Sequence, residues 1–111
     1  MREVCLARLD KTRPVVVLTR EAARAAMTKV TVAPVTSTVK GLSSEVPVGP
    51  ENGLDRSGVI SLDNVVTIPV RLLGRDIGVL TAAQEVVLAR AIVLAYDLDV
   101  APPSVPGPTT S

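Results

Sequence analysis

The run from Pro14 to Thr19, Pro-Val-Val-Val-Leu-Thr, decides the fold class of this chain. A short and continuous run of β-branched apolar residues indicates a strand that is buried on both faces. We expect Pro14 to be the first residue of that strand, where its missing N–H is tolerated. Similar segments predict further short strands over residues 2–9, 30–35, 43–48, 59–62, 65–68 and 75–80.

Turn and cap residues indicate how these strands are connected. A tight turn is strongly favoured at Pro50-Glu51-Asn52-Gly53. We expect the strand over 43–48 to pair back onto the third strand across Lys40-Gly41-Leu42. Arg20 to Met27 is Ala-rich and predicts one or two helical turns capped by Thr19.

The second helix signal is clearer. Thr81-Ala82-Ala83-Gln84 has the spacing of a capping box, and apolar residues then recur with helical periodicity. We therefore predict a helix over about 82–97. Many short strands, tight turns and a C-terminal helix together predict a mainly β fold, a small and strongly bent antiparallel barrel.

Domain organisation follows from length and composition. A chain of 111 residues suits one domain, which we place at 1–100. Residues 101–111 contain four of the nine prolines and no charge, so we predict a disordered tail.

The core has to be built almost without aromatic residues. Hydrophobic residues make up 47% of the chain, but Tyr96 is the only aromatic one, and we expect it in a core helix. The mean hydropathy of +0.39 is high for a small domain. We therefore expect apolar surface that is left over for a partner.

Several function classes are excluded or disfavoured. With one cysteine, Cys5, and no histidine, the chain has no internal disulfide and no Cys/His zinc site. We expect Cys5 to be a small buried residue, no metal site and no cofactor. Scattered glycines disfavour a phosphate-binding loop. The sequence shows neither a signal peptide nor a bilayer-spanning segment, so we expect no membrane and a cytoplasmic protein.

The charge distribution is asymmetric. Residues 1–40 carry eight Lys or Arg residues and three acids, whereas residues 41–111 carry four and eight. A basic half is compatible with a polyanionic partner.

Two segments carry the candidate chemistry. Lys11 to Leu18 places a basic cluster at the entrance of the buried strand, and Val32 to Thr38 is a strand that ends in three hydroxyl residues. Neighbouring strand ends would bring Arg13 and Thr36 together. Arginine offers a planar fork of donors for a phosphate, and threonine offers a hydroxyl. A solvated arginine and a merely strand-favouring threonine are the alternative interpretation.

These two segments resemble the best-marked motifs of the MazF/PemK toxins. Residues 41–46 resemble the hairpin after the second motif, and residues 58–68 resemble the segment before the last strands. The likeness covers roughly residues 2–98 and keeps the family's order.

The resemblance implies an SH3-like barrel of the CcdB/PemK/MazF type that forms a homodimer and binds single-stranded RNA along the dimer interface. It implies a toxin endoribonuclease that is metal-independent and is neutralised by a cognate antitoxin protein. Cleavage would proceed by attack of the ribose 2′-hydroxyl and leave a 2′,3′-cyclic phosphate and a 5′-hydroxyl. The implied catalytic pair is Arg13 and Thr36, with RNA contacts from Lys11, Thr12, Ser37, Thr38, Lys40, Asp63 and Asn64.

The chain departs from the family pattern between the first two strands. Family members often carry a longer loop there with an acidic residue, whereas this chain has only Asp10-Lys11-Thr12. The sequence leaves open whether Asp10 replaces that acid, and hence which group is the general base. It also leaves open which RNA sequence is read.

Three other functions compete with this hypothesis. A gyrase-binding toxin of the CcdB type has the same fold, but its activity relies on a tryptophan, which this chain lacks. A non-catalytic RNA-binding module usually stacks bases on aromatic rings, which Tyr96 alone would have to supply. An inactive barrel that only binds an antitoxin is the third alternative.

Overall fold

A computed structural model describes residues 2–19 and 27–96. Seven strands, one α-helix and three single-turn 3₁₀ helices make up this part of the chain, which confirms the predicted mainly β fold with an α-helix after the last strand. The elements are β1 (Glu3–Arg8), β2 (Thr12–Val17), β3 (Lys29–Thr36), β4 (Glu45–Val48), β5 (Gly58–Ser61), β6 (Val66–Pro69), β7 (Leu73–Val79) and α1 (Ala82–Ala95).

The strands form one curled antiparallel sheet with the order β4-β5-β3-β2-β1-β7. Strand β3 is the longest, and two different strands, β6 and β5, pair with successive parts of one of its edges. Its first half pairs with β6, from Lys29 opposite Pro69, and its end pairs with β5, from Thr36 opposite Val59. Because one edge of β3 serves two strands that diverge, the sheet bends around it into the predicted small barrel.

The central strands are buried on both faces, as the valine run predicts. Val16 belongs to a core between the sheet and α1, together with Ile60 and Leu88. Val15 and Val17 belong to a second core on the opposite face. Cys5 is buried in that second core, as expected.

The predicted pairing of the 43–48 segment with the third strand is wrong. Strand β4 begins only at Glu45 and pairs with β5, from Glu45 opposite Ser61. The Glu45 carboxylate accepts hydrogen bonds from the backbone N–H groups of Lys40, Gly41 and Leu42, at 3.1, 2.8 and 3.1 Å. Residues 40–42 therefore wrap around a carboxylate, and the edge of β3 stays free for β5.

The position of Pro14 also differs from the prediction. Strand β2 begins two residues earlier, at Thr12, because Thr12 and Arg13 pair with Arg8 and Ala7 of β1. Pro14 therefore lies inside the strand, opposite Leu6.

The helix is tied to the sheet through a buried amide. Thr81 caps α1 by accepting from the Gln84 N–H at 3.1 Å, which confirms the predicted capping box. The Gln84 side chain exchanges two hydrogen bonds with fully buried Asn52, at 2.6 and 3.0 Å. Asn52 belongs to the predicted turn, which ends at Gly53 in a left-handed conformation with φ of 85°.

The expectation of a buried Tyr96 is wrong. Tyr96 lies just beyond the end of α1 and is 51% exposed, together with Val86, Val87 and Leu94 of the same helix. The apolar face of α1 is thus wider than the sheet covers. No helix among residues 2–19 and 27–96 is long and apolar enough to cross a bilayer. The predicted helix at 20–27, apart from Met27, and the predicted tail at 101–111 lie outside the described residues.

Candidate functional site

The pairing of β2 with β3 brings Arg13 and Thr36 together. Val15 lies opposite Pro34 and Val17 opposite Val32. Arg13 and Thr36 each lie two residues beyond the last recorded pair, Val15 and Pro34, at adjoining ends of the two strands. Both residues line the same two cavities. The structure therefore brings together the pair that the sequence singled out.

The first cavity, cavity A, has a volume of about 330 Å³. One wall is the basic segment at the start of β2, and the opposite wall is the loop before β5. Three of the predicted RNA-contacting residues line cavity A: Lys11, Thr12 and Ser37.

The second cavity, cavity B, has a volume of about 460 Å³ and lies on the other side of the pair. The remaining predicted RNA-contacting residues line cavity B: Thr38, Lys40, Asp63 and Asn64. All nine predicted site residues therefore lie along one cleft, with Arg13 and Thr36 at the junction of its two parts.

Arg13 has a donor that the protein itself does not use. Its side chain is 28% exposed, and one terminal nitrogen donates to the Asp10 carboxylate at 3.1 Å. Its Nε is buried and has no hydrogen-bond partner, the single such side-chain atom among the described residues. Arg13 lines both cavities, and Asp10 uses only one of its two terminal nitrogens, so the other is left for a ligand in the cleft.

Thr36 is held by the turn that follows it. Its hydroxyl oxygen accepts a hydrogen bond from the Thr38 backbone N–H at 3.1 Å. The hydroxyl proton therefore points away from that N–H and is available to an acceptor in the cleft. The backbone of Thr36 is in turn packed against Gly58, where a Cβ would lie 2.5 Å from the Thr36 carbonyl oxygen.

The acidic residues around cavities A and B are engaged within the protein, with one exception. Asp10 pairs with Arg13, Glu45 accepts three backbone N–H groups, and Asp63 accepts from the Ser44 hydroxyl. The exception is Asp55, which has no hydrogen bond or ion pair within the described part of the chain.

Residues 55–57, Asp-Arg-Ser, were not foreseen from the sequence, yet they form a wall of cavity A. They reach the cleft because β5 pairs with the end of β3, which sets Gly58 beside Thr36. The charged pair Asp55-Arg56 just after a turn was the available signal. Because the sequence did not predict that β5 pairs with the end of β3, it could not place these two residues near the cleft.

Within the described residues, no three or more His, Cys, Asp or Glu side chains are grouped so that they would hold a metal ion.

Known proteins match almost the whole chain. The family described as PemK-like, MazF-like toxin of type II toxin-antitoxin system matches residues 3–95. Endoribonuclease MazF3 of Mycobacterium tuberculosis is 58% identical over 99 residues, which cover 89% of this chain and 96% of that protein. The expected enzyme class, an endoribonuclease, is confirmed by this relative.

Solved structures match equally well. The toxin MazF-mt6 of Mycobacterium tuberculosis superimposes with a TM-score of 0.86 at 57% identity, covering 88% of this chain and 99% of that one. A mycobacterial endoribonuclease in complex with its cognate antitoxin gives a TM-score of 0.79 at 23% identity over 87% and 93% of the two chains, which shows the fold alone. The predicted fold class is confirmed, and the chain belongs to the PemK-like, MazF-like toxin family of type II toxin–antitoxin systems.

Proposed function

We propose that this toxin cleaves single-stranded RNA at a short sequence by attack of a ribose 2′-hydroxyl on the adjacent phosphate, without a metal ion. The observation that carries the proposal is the state of Arg13. Asp10 uses only one terminal nitrogen of Arg13, and Arg13 and Thr36 lie together at the junction of two cavities. A phosphate at that junction gives both side chains an acceptor.

Arg13 and Thr36 have different roles in the proposed cleavage reaction. Attack of the 2′-hydroxyl gives a pentacoordinate phosphorane that carries additional negative charge on its oxygens. Arg13 stabilises that charge through its fork of donors and is placed to protonate the leaving 5′-oxygen. A guanidinium has no free lone pair to accept a proton, so Arg13 is not the base. Water in the cleft takes the proton of the 2′-hydroxyl, the bond from phosphorus to the 5′-oxygen breaks, and Arg13 regains from water the proton that it gives to that oxygen.

Thr36 donates its hydroxyl proton to a phosphoryl oxygen, and Ser37 next to it assists. Asp10 holds one terminal nitrogen of Arg13, which orients the planar guanidinium and leaves its other donors for the phosphate. The products are a 2′,3′-cyclic phosphate and a 5′-hydroxyl.

The neighbouring residues extend the binding surface beyond the reacting phosphate. Lys11 and Thr12 in cavity A, and Thr38, Lys40, Asp63 and Asn64 in cavity B, bind the nucleotides on the two sides of that phosphate. The substrate is a single strand, because its unstacked bases are free to contact the side chains that line the cleft.

The proposed assembly is a homodimer in the cytoplasm that a cognate antitoxin neutralises. The exposed apolar side chains of α1 support a second copy as a partner. An acidic and apolar antitoxin segment that lies in the basic cleft would compete with RNA, because both would use Arg13 and its neighbours. The family to which the chain belongs, toxins of type II toxin–antitoxin systems, supports such a partner.

The test is to incubate a long RNA with the wild type, Arg13→Ala and Arg13→Lys in the presence of EDTA. We expect the wild type to cut and Arg13→Ala to be slower by about 10²–10³. Arg13→Lys should remain slow, because an ammonium group lacks the planar fork.

Lys29→Ala is the matched control, because it removes one exposed cation at the start of β3, outside cavities A and B. Near-normal cutting by Arg13→Ala, or an activity that requires added metal, would contradict the proposal.

A further inference from the structure

Glu45 lines cavity B, where the proposed function places RNA, although a carboxylate repels phosphates. The carboxylate binds backbone N–H groups and makes no ion pair within the described part of the chain. Its Oε1 accepts from Lys40, Gly41 and Leu42 at 3.2, 2.8 and 3.1 Å, and its Oε2 accepts from Lys40 at 3.1 Å. Glu45 therefore holds a stretch of backbone at the wall of the cavity.

Residues 40–42 form a concave turn whose N–H groups converge on that carboxylate. Gly41 has a φ of 76°, and a left-handed residue within a turn directs successive N–H groups to one side, where they bind an anion. The anion here is the Glu45 side chain of the same protein. Residues 40–42 are exposed, and every hydrogen bond that they make within the described part of the chain is to Glu45. Glu45 therefore determines the conformation of this turn.

The arrangement leaves the Lys40 ammonium free. Glu45 binds the backbone N–H of Lys40, whereas the ammonium has no hydrogen bond or ion pair within the described residues. Lys40 lines cavity B together with Arg13 and Thr36. An ammonium at that wall is a point charge that a phosphate of the RNA backbone can approach.

We propose that Glu45 is a positioning residue for RNA binding. By holding the backbone of residues 40–42, its carboxylate places the Lys40 ammonium against a phosphate next to the cleaved one. This inference rests on the proposed function, because it concerns the same cleft and the same RNA. Removal of this negative charge should therefore weaken the binding of a polyanion, whereas simple charge repulsion predicts tighter binding.

The experiment measures binding of a single-stranded oligonucleotide at several salt concentrations. The oligonucleotide contains one site that the wild type cuts in a long RNA, with a 2′-deoxy sugar on the 5′ side of the cut. We expect Glu45→Ala to bind it about fivefold more weakly, the upper range for one exposed ion pair. The slope of log K against log salt concentration should become shallower by about 0.7, the value for one phosphate contact on a single strand.

Glu45→Gln is the matched variant, because it removes the same charge but keeps a side-chain oxygen. In the wild type Oε1 accepts three of the four hydrogen bonds, which the glutamine oxygen can also accept. Glu45→Gln should keep most of the affinity and the wild-type slope. Glu51→Ala removes an exposed carboxylate outside cavities A and B, and it should bind as the wild type does.

Lys40→Ala tests whether Glu45 acts through Lys40. We expect it to lose as much affinity and slope as Glu45→Ala. The double variant should lose little more than either single variant, because both changes remove the same contact.

Gly41→Val decides the question if circular dichroism shows that Glu45→Ala is unfolded. A Cβ at Gly41 has no atom within 4 Å, so valine has space, but a β-branched residue is disfavoured at a φ of 76°. The variant should change the turn without unfolding the protein, and it should bind with the lower affinity and shallower slope. Wild-type binding by Gly41→Val would contradict the inference.

Three results would overturn the inference while the proposed function stands. They are unchanged or tighter binding by folded Glu45→Ala, an equal loss of affinity in Glu45→Gln, and additive losses in the double variant. A wild type that cuts no RNA would overturn the proposed function itself.

Discussion

Arg13 combines partial burial with an unused donor, and this combination is costly for the fold. A buried donor without an acceptor destabilises a protein by about 1–3 kcal/mol. The sequence predicted the residue, because a basic cluster before a valine run is visible in one dimension. It did not predict the buried Nε, which depends on how the strands curl around the side chain.

The stability of Arg13→Ala should therefore be close to that of the wild type or above it, although activity falls. Removing the side chain deletes the unpaired donor and a weak ion pair with exposed Asp10, and the first loss offsets the packing of the Arg13 stem. Thermal unfolding followed by circular dichroism measures this. A large drop in the melting temperature would mean that Arg13 serves the fold and not the substrate.

Thr36→Val tests the hydroxyl separately from the strand. Valine keeps the shape and the strand preference but removes the proton donor. A hydrogen bond to a charged group contributes about 1.5–3 kcal/mol, so the single-turnover rate should fall by roughly 10- to 100-fold. Thr31→Val, on the same strand but facing Thr67, is the control and should cut normally. Equal rates for Thr36→Val and the wild type would remove Thr36 from the mechanism.

At the level of elements, most strands were predicted from the sequence, because short apolar runs of β-branched residues favour strands. The pairing of β4 did not follow. Lys40-Gly41-Leu42 resembles a hairpin turn, whereas its backbone N–H groups bind the Glu45 carboxylate. A side chain that accepts three backbone N–H groups leaves no periodic pattern in a sequence. The same misassignment concealed residues 55–57 of the cleft.

Gly58 is the element-level position that should couple packing to activity. A Cβ there would lie 2.5 Å from the Thr36 carbonyl oxygen, so Gly58→Ala must push β5 away from the end of β3. We expect a loss of about 1–3 kcal/mol in the free energy of unfolding, as for other overpacked sites. Cutting should slow as well, because Thr36 and the wall formed by residues 55–57 move apart. Denaturant unfolding and a cleavage assay measure the two effects. A variant with wild-type stability would show that this contact is not tight.

For the whole molecule, the exposed apolar side chains of α1 support the proposed homodimer. The sequence predicted this from its mean hydropathy, but it placed Tyr96 in the core. In the structure the end of α1 extends past the sheet, so Tyr96 and Leu94 remain exposed. A group of exposed apolar side chains commonly marks a surface that another protein covers.

Sedimentation at micromolar concentration should therefore give a species of twice the 11.6 kDa chain mass. The physical reason is burial of the apolar side chains of α1 that the sheet leaves exposed. A single species of monomer mass would contradict the proposed homodimer and would require the RNA cleft to function within one chain.

The most direct test of the proposed chemistry uses two oligonucleotides that contain one mapped cleavage site. One is all ribose, and the other has a single 2′-deoxy sugar on the 5′ side of the cut. In EDTA, the toxin should cut only the first and leave a 2′,3′-cyclic phosphate and a 5′-hydroxyl, because the 2′-hydroxyl is the nucleophile. Cutting of the 2′-deoxy oligonucleotide at that site, or products that carry a 5′-phosphate, would contradict the mechanism.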